Sequence, residues 1–205
     1  MADEEMPCGL VLLAAGASAR MGRPKQLIEI DGIALVRRAA MAALASPAKP
    51  VVVVLGANAA AIRPQLADLA VKVIANADWA DGMGGSLRCG VQTLITAAPH
   101  LGAIIVALAD QPHFTAELVG QLLDRQRTSG KSIVVSSHGD HLGPPVLFLR
   151  RHFAELLALS GDAGARSILQ AHAGDVVKLS VPGEADLDTP ADVARFLAEQ
   201  AARQK

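Results

Sequence analysis

Cysteine, aromatic residues and net charge are all scarce in this chain. Its 205 residues include two cysteines, Cys8 and Cys89, no tyrosine and one tryptophan, Trp79. Two distant cysteines outside any CxxC spacing argue against a disulfide framework or a cysteine zinc site, and they favour a reducing compartment. The formal net charge of -1 argues against a broad surface for nucleic acid. An anion site in this protein must therefore be built locally, from a few residues.

Long apolar runs are missing as well. No apolar stretch approaches the ~20 residues that span a bilayer. The acidic start, MADEEMPC, lacks the basic-then-apolar pattern of a signal peptide. We therefore expect a cytoplasmic protein that binds no membrane. The length, with 51% hydrophobic and 19% charged residues, suits one globular domain over residues 1–205.

Short apolar runs alternate with stretches of helical spacing, such as 34–46 and 115–127. The apolar runs are too continuous for strands with one wet face, so we interpret them as strands buried on both faces. Such alternation predicts an α/β fold in three layers, with a mostly parallel sheet between two layers of helices. The predicted strands lie at 9–15, 51–56, 71–76, 103–110, 132–137 and 176–181.

The segment HGDHLGPPVLFLR, residues 138–150, interrupts this alternation. Its glycines and the Pro144–Pro145 pair predict a loop leading to an edge or antiparallel strand, because proline is poorly tolerated in a central strand. We treat about 138–175 as an insertion-like segment of the same domain.

A glycine-rich turn follows the first predicted strand, in LLAAGASARMGRPKQL at 12–27. The interval from Gly16 to Gly22 does not fit a Walker A loop, and the GxGxxG fingerprint of dinucleotide-binding proteins is absent. What remains is a strand, a turn whose backbone amides can face an anion, and the cations Arg20 and Lys25 nearby. On spacing alone, an ordinary turn with solvated basic residues is an equal alternative.

The stretch LAAGASARMGRPKQL resembles the signature LAAGxSxRMGxxKxL of the nucleotidyltransferase superfamily with a glycosyltransferase-A-like fold. Within it, the molybdenum cofactor cytidylyltransferase family is the most similar. The resemblance implies a Rossmann-like sheet of the nucleotide-diphospho-sugar transferase type. It also implies that the backbone of Ala14, Ala15 and Gly16 faces a nucleotide, while Arg20 and Lys25 hold its phosphates.

Asp110 ends the most apolar predicted strand, in AIIVALADQP. A carboxylate there is desolvated on one side unless a cation or hydrogen bonds compensate it. Because Mg²⁺ binds through a few carboxylates and substrate phosphates, Asp110 beside a phosphate loop is a candidate ligand. The alternative is a helix-initiating turn, which Pro112 and Thr115 would also suit.

A second acidic stretch, EADLDTPADV, spans 184–193. Thr189, Pro190 and Asp192 fit a capped helix start, which leaves Asp186 and Asp188 unexplained. The family carries a DxDTPxD element here whose aspartate completes the metal site. The resemblance therefore implies Asp188 as a second Mg²⁺ ligand, with Asp186 as the alternative.

The stretch NADWADGMGGSLRCGV, residues 76–91, is similar to the family element N…GMxxSLxxGV that contacts base and ribose. The resemblance assigns Asn76, Gly82, Met83 and Ser86 to nucleotide binding, and LAAG with GMxxSL favours cytidine over guanosine. A loop entering a helix at Gly85 or Ser86 is a compatible interpretation.

The family element GDxGAR matches GDAGAR at 161–166, on the acceptor side. It implies that Asp162 and Arg166 bind the acceptor, with Arg166 on a pterin phosphate at a helix N-terminus. The alternative is a capped surface helix with an exposed arginine. Pro144 departs from the family pattern GxPVLF, which puts an acceptor contact at that position in doubt.

Three further expectations concern isolated residues. The pair His138 and His141 has generic spacing in a polar loop, so we expect it to be solvated rather than to bind a metal. Cys8 and Cys89 are expected to be buried.

The resemblance as a whole implies a Mg²⁺-dependent enzyme that transfers CMP from CTP to a molybdopterin-type cofactor, releasing pyrophosphate. Arg20, Lys25 and Asp110 would be its catalytic residues, and a molybdenum hydroxylase or its chaperone a partner. Alternatives are a guanylyltransferase of the same cofactor that uses GTP, and a sugar- or alcohol-phosphate nucleotidyltransferase. A non-catalytic cofactor-binding or delivery protein is a further alternative, of another class.

Overall fold

A seven-stranded sheet forms the centre of the molecule. The computed structural model describes residues 6–139, 141–162, 164–182, 187 and 189–203. The strand order is β5-β4-β1-β6-β8-β7-β9, and β2 and β3 form a separate hairpin. The strands are β1 Cys8–Ala14, β2 Glu29–Ile30, β3 Ile33–Ala34, β4 Val51–Leu55, β5 Lys72–Ala75, β6 Ala103–Leu108, β7 Ile133–His138, β8 His141–Leu149 and β9 Val176–Ser180.

Every pairing in the large sheet is parallel except those made by β8, which runs antiparallel to both β6 and β7. Helices cover both faces of this sheet. They are α1 Leu35–Ala45, α2 Ala59–Ile62, α3 Met83–Ala97, α4 Ala116–Ser129, α5 Phe153–Leu157, α6 Arg166–Ala171 and α7 Pro190–Arg203. The predicted α/β fold with a mostly parallel sheet is therefore confirmed.

Alternate residues of the central strands feed two separate cores. Leu10 and Leu12 of β1 pack with the helices α1 and α4, whereas Val11 and Leu13 pack with α3, α5 and α6. This is the period of two that a strand imposes on its side chains. Gly90 lets α3 approach the sheet closely, because a Cβ there would lie 2.5 Å from Val11.

For 138–150, the antiparallel alternative of the prediction is confirmed. Strand β8 is antiparallel, as expected, but it lies between β6 and β7 rather than at an edge. The prolines are accommodated because pairing with β6 ends at Val146, and the register with β7 shifts between Val135 and Ser136. Pro144 and Pro145 therefore lie where the ladders need no N–H donor.

Burial on both faces holds for the central strands and fails at the edges. The outer strands β5 and β9 are only partly buried along their length. Helix α3 begins at Met83, two to three residues before the predicted start. Cys8 is buried as expected, but Cys89 is only half-buried.

A third apolar cluster joins the C-terminal helix to the β2–β3 hairpin. Its members are Met21, Ile28, Ile30, Leu35, Leu187, Val193 and Phe196. The predicted cap of this helix is present: Asp192 N–H donates to Thr189 Oγ1 at 3.2 Å, and Thr189 N–H donates to Asp192 Oδ2 at 2.8 Å. Among the described residues, no helix is long and apolar enough to cross a bilayer.

Candidate active site

The loop after β1 is held in shape by one buried side chain. Gln26, 2% exposed, donates from Nε2 to the carbonyls of Gly16 at 3.0 Å and Ala14 at 3.5 Å. Its Oε1 accepts from Ser18 Oγ at 3.2 Å, and Ser18 Oγ accepts from Lys25 N–H at 3.0 Å. Ser18 has a left-handed φ of 57°. Sequence reasoning missed Gln26, which occupies a variable position of the signature.

Gly16 faces open space at the tip of this loop. A Cβ built there would meet nothing within 4 Å. The backbone φ of Gly16 is not positive. Neither packing nor backbone conformation within this chain therefore requires glycine. A ligand that approaches the backbone closely would require it.

Lys25 and Asp110 form an ion pair across the cleft, with side chains 18% and 10% exposed. Asp110 follows β6, and Lys25 begins the short 3-10 turn Lys25–Leu27. The buried carboxylate thus has the cationic partner that its position demands. The two residues that the sequence assigned to phosphate and to metal lie against each other.

These groups line a cleft of about 500 Å³ at the carboxyl ends of β1 and β6. This is the edge where open α/β sheets bind ligands. Among the predicted residues, it brings together Ala14, Ala15, Gly16, Lys25, Gly82, Met83, Ser86, Asp110 and Asp162. Trp79 also lines the cleft, and its being the single tryptophan of the chain was the signal that could have marked it.

The loop before α3 packs directly on the turn at 161–162. Gly82 has φ 118°, and a Cβ there would lie 2.3 Å from the carbonyl of Gly161. Gly84 N–H donates to the same carbonyl at 2.9 Å. The base-side and acceptor-side elements of the sequence are therefore in backbone contact, which no local pattern indicated.

Asn76 supports the cleft from behind. It is buried, and its Nδ2 donates to Ser86 Oγ at 3.0 Å while its Oδ1 accepts from Asp78 N–H at 3.1 Å. The residues that line the cleft include Ser86 but not Asn76. Asn76 therefore orients Ser86 in this structure.

A smaller apolar pocket of about 150 Å³ adjoins the cleft. Arg166 lines it together with Gly143 and Pro144 of β8, and Met83 lines both cavities. Asp162 lies in the larger cleft, so the two predicted acceptor residues border adjacent spaces. Because α6 has only six residues, the Arg166 side chain rather than the helix end would carry an anion contact.

Gln111 is a buried residue that sequence reasoning passed over. It follows Asp110, and its Nε2 donates to the carbonyl of Pro144 at 2.7 Å. The strand end that carries Asp110 is thereby tied to the start of β8. Pro144 is the position at which the departure from the family pattern puts an acceptor contact in doubt. Its carbonyl accepts the hydrogen bond from Gln111.

Three predicted residues lie wholly or partly outside the described part. Asp186 and Asp188 are not among the described residues, and for Arg20 only the backbone is described, in the 3-10 turn Ala19–Met21. Leu187, which lies between the two aspartates in the sequence, is buried and donates from N–H to the carbonyl of Asp110 at 3.3 Å.

The expectation that His138 and His141 are solvated is confirmed for His141 only. They pair at the end of the β7–β8 ladder, where His141 is exposed and His138 is half-buried. They are not part of the one described group of three residues that could hold a metal ion, which consists of His152, Glu155 and His172.

The donor set of the cleft fits a hard divalent cation bound with phosphates. Asp110 and Asp162 supply carboxylate oxygens, and no histidine or cysteine is among the lining residues. Oxygen ligands of this kind suit Mg²⁺ or Mn²⁺. Residues 14–17 and Lys25 line the same cleft.

The sequence is similar to several known proteins, two of them along most of its length. "Nicotine blue oxidoreductase" of Paenarthrobacter nicotinovorans is 37% identical over 211 residues, covering 96% of this chain and 100% of that protein. "Purine catabolism protein PucB" of Bacillus subtilis is 31% identical, covering 88% and 91%. A "Probable molybdenum cofactor guanylyltransferase" of Pelotomaculum thermopropionicum is 28% identical, covering 65% and 59%.

The fold matches a solved protein at comparable identity. Rv0371c of Mycobacterium tuberculosis superposes with a TM-score of 0.82 at 29% identity, over 94% of this chain and 98% of that chain. A second structure of that protein, in complex with manganese, gives a TM-score of 0.76 at 27% identity, over 94% and 98%. Residues 10–176 match the family described as the MobA-like NTP transferase domain. This chain therefore belongs to the MobA-like NTP transferase family and is a nucleotidyltransferase.

Proposed function

We propose that the protein transfers CMP from CTP to a molybdopterin-type molybdenum cofactor, forming the cytosine dinucleotide and pyrophosphate. The observation that carries this proposal is the convergence of Gly16, Lys25 and Asp110 on one cleft. Backbone amides, an ammonium and a carboxylate are the groups that a metal–triphosphate complex requires.

The ion pair between Lys25 and Asp110 is the resting state of this site. With nucleotide bound, Lys25 would contact its phosphates and Asp110 would hold a divalent cation, so each charge would exchange one partner for another. Asp186 or Asp188 would be a further ligand of that cation, and the hydrogen bond from Leu187 to Asp110 supports this assignment. Arg20 contributes a second cation to the phosphates.

Asp110 would hold a divalent cation, Mg²⁺ in our proposal, which when bound would supply positive charge to the triphosphate. The manganese complex of Rv0371c supports a divalent cation. The protein does the rest by alignment and charge stabilisation. A terminal phosphate oxygen of the acceptor forms a bond to the α-phosphorus, the bond from the α-phosphorus to the bridging oxygen breaks, and pyrophosphate leaves. The nucleophile is already an anion, so no general base is needed.

The base occupies the part of the cleft bordered by Trp79, Met83 and Ser86. An aromatic ring and a thioether offer stacking and apolar contact to a planar base, and Asn76 fixes the Ser86 hydroxyl. Cytidine is favoured by the LAAG and GMxxSL elements. GTP use is the first alternative, supported by the guanylyltransferase relative.

The acceptor occupies the adjacent apolar pocket, with its phosphate toward Arg166 and with Asp162 on the side of the larger cleft. This pocket is lined by residues of β8 and α6, so the segment of about 138–175 would form the acceptor side of a single domain. Its product would pass to a molybdenum hydroxylase or its chaperone.

The first experiment measures nucleotide binding by thermal shift, with CTP, GTP, ATP and UTP, each with and without Mg²⁺. A ligand of the native state raises the melting temperature according to its concentration over Kd. We expect a Mg²⁺-dependent rise with CTP. Gly16→Ala should abolish that rise without lowering the melting temperature of the apo protein, since its Cβ meets nothing. The matched control is Gly120→Ala, also unobstructed.

Pyrophosphate release with the pterin acceptor then tests turnover. Release with CTP supports the proposal, and release with GTP alone would show that the protein is a guanylyltransferase instead. Release with a sugar or alcohol phosphate instead would reassign the acceptor. Binding of nucleotide and cofactor without release would identify a delivery protein.

A second candidate, reduction of an organic dye, is raised by the name of the Paenarthrobacter nicotinovorans relative. The groups in the cleft suit phosphates, and the sequence lacks the GxGxxG fingerprint. Oxidation of NADH or NADPH by the pure protein, measured with a quinonoid dye, would separate the two: dye-dependent oxidation without pyrophosphate release would favour this candidate.

A further inference from the structure

A cluster of two histidines and a glutamate lies at the edge of the sheet opposite the cleft. His152 and Glu155 follow β8, whose end at Leu149 pairs with the start of β6 at Ala103. The cleft, in contrast, lies beyond the other end of β6. The cluster is therefore separate from the proposed active site and independent of the proposed function.

Glu155 holds both histidines through its carboxylate. His152 Nδ1 lies 2.9 Å from Oε1, and His172 Nε2 lies 3.0 Å from Oε1 and 2.8 Å from Oε2. The two imidazole rings are 4.6 Å apart between centroids. One ligand atom from each of the three residues lies within 4.8 Å of the others.

The far side of His152 is anchored by two further residues. Its Nε2 lies 2.7 Å from Ser132 Oγ. Ser132 Oγ in turn donates to Asp175 Oδ2, and Ser132 N–H donates to Asp175 Oδ1 at 3.2 Å. Asp175 also forms an ion pair with Arg151. Ser132 lowers the pKa of the Asp175 carboxyl from its ordinary value, so Asp175 is an acceptor.

Counting the protons along this series of hydrogen bonds shows that the cluster lacks a positive charge. A hydroxyl has one proton, and Ser132 gives its proton to Asp175, so Ser132 must accept from the Nε2–H of His152. A neutral imidazole has only one N–H, which leaves the Nδ1 lone pair aimed at the Glu155 carboxylate. Two electron-rich groups 2.9 Å apart repel each other, so a cation must bind both of them, either a second proton on the ring or a metal ion beside the pair.

We propose that this cation is a zinc ion, bound by His152 Nδ1, Glu155 and His172 Nε2 with water as the fourth ligand. Two imidazole nitrogens and one carboxylate are a ligand set that Zn²⁺ favours over Mg²⁺. A ligating histidine commonly donates its other ring N–H to an acceptor that fixes the ring, and Ser132 has that role here. Glu155 and His172, with side chains 40% and 35% exposed, leave a path from solvent.

The site would be structural. Its ligands and their anchors join the starts of β7 and β9 to α5 and to the end of α6. The helix α6 begins at Arg166, which lines the pocket beside the cleft. Zinc would thus fix the end of α6 that points away from the active site.

The test titrates the full-length protein, stripped with a chelator, with Co²⁺ as a coloured substitute for Zn²⁺, and then measures Zn²⁺ by calorimetry. We expect one site per chain with the visible spectrum of a four-coordinate ion. His172→Ala, a change at a partly exposed residue, should weaken binding at least 100-fold or abolish it. Ser132→Ala should weaken it about 10- to 100-fold, the usual cost of losing an outer-shell partner.

Two controls locate the ion. His100→Ala changes an exposed histidine elsewhere, and Asp110→Asn removes the carboxylate of the cleft, so both should retain the cobalt spectrum. Zinc binding that His172→Ala leaves unchanged would overturn the proposal, as would no binding near one equivalent. In the second case the missing cation would be a second proton on His152 rather than a metal ion.

Discussion

The two edges of the sheet carry charged groups of different construction. At the carboxyl edge, backbone groups of one continuous loop and the ion pair of Lys25 and Asp110 border an open cleft. At the amino edge, five side chains in or next to β7, α5, α6 and β9 hold one another through hydrogen bonds. A site made by a continuous loop leaves a spacing pattern in the sequence, whereas a site gathered from residues 132, 152, 155, 172 and 175 leaves none.

The two edges are nevertheless connected through the acceptor side. Helix α6 has Arg166 at its start and is followed by His172 at the other edge. The Gly161 carbonyl also accepts from Gly84, so the turn before α6 is tied to the nucleotide loop. A substitution at one edge should therefore change transfer activity or metal binding at the other edge only weakly, through the position of α6.

The largest expected effect is the loss of transfer in Asp110→Ala and Asp110→Asn. Removing the carboxylate that would hold a divalent cation on the reacting phosphates should lower kcat/KM about 10³-fold or more. Asp110→Asn keeps the shape of the side chain, so its melting temperature should stay near that of the wild type, and its cobalt site should persist. Pyrophosphate release and thermal melts measure these effects.

The control for Asp110 is Asp124→Ala, an exposed aspartate of α4 paired with Arg127. It should keep full activity. Turnover at the wild-type rate in both Asp110 variants would show that Asp110 is not a ligand of the catalytic metal ion.

Lys25→Ala should have the next largest effect. The loss of a charged contact to the triphosphate corresponds to about 1.5–3 kcal/mol, which is about a 10- to 100-fold fall in kcat/KM for the nucleotide. Steady-state kinetics with varied CTP measures it. Lys72→Ala, an exposed lysine of the edge strand β5, is the control and should not differ from wild type. Equal kinetics for all three proteins would mean that the loop is an ordinary turn.

Arg166→Ala should act on the acceptor alone. An exposed arginine that contacts a phosphate contributes roughly 1 kcal/mol, so the KM for the acceptor should rise roughly 5-fold while that for CTP stays the same. Arg125→Ala on α4 is the matched control. A rise in the KM for CTP instead would place Arg166 on the nucleotide side.

The smallest effect concerns the two cysteines and leaves activity unchanged. Burial raises the pKa of the Cys8 thiol to about 12, so at pH 8 this group is protonated and shielded from a thiol reagent. Cys89 is half-buried and should react first. A disulfide reagent followed by absorbance should show one accessible thiol, which Cys89→Ala removes. Fast reaction in that variant would show that Cys8 at the amino edge is open to solvent.

Particular residues show how far the sequence predicts this molecule. The strands predicted from the apolar runs begin and end within two residues of the observed strands, and Thr115 and Thr189 are observed as helix caps. These signals depend on near neighbours in the chain. The signature loop likewise placed Lys25 beside the strand that ends near Asp110. Gln26 was missed, because its bonds run to Ala14 and Gly16 across the loop and depend on its burial.

The sequence by itself determined the alternation of strands and helices, the mostly parallel sheet, and a glycine-rich loop at its carboxyl edge, since each follows from periodicity or from a continuous motif. Only the tertiary structure decided that β8 enters the sheet interior, that Lys25 pairs with Asp110, that Gly82 packs on Gly161, and that two histidines meet Glu155. Each of these depends on contacts between residues that are distant in the chain. Such contacts are set by how the two helical layers pack against the sheet, and no local sequence pattern shows which distant residues will meet.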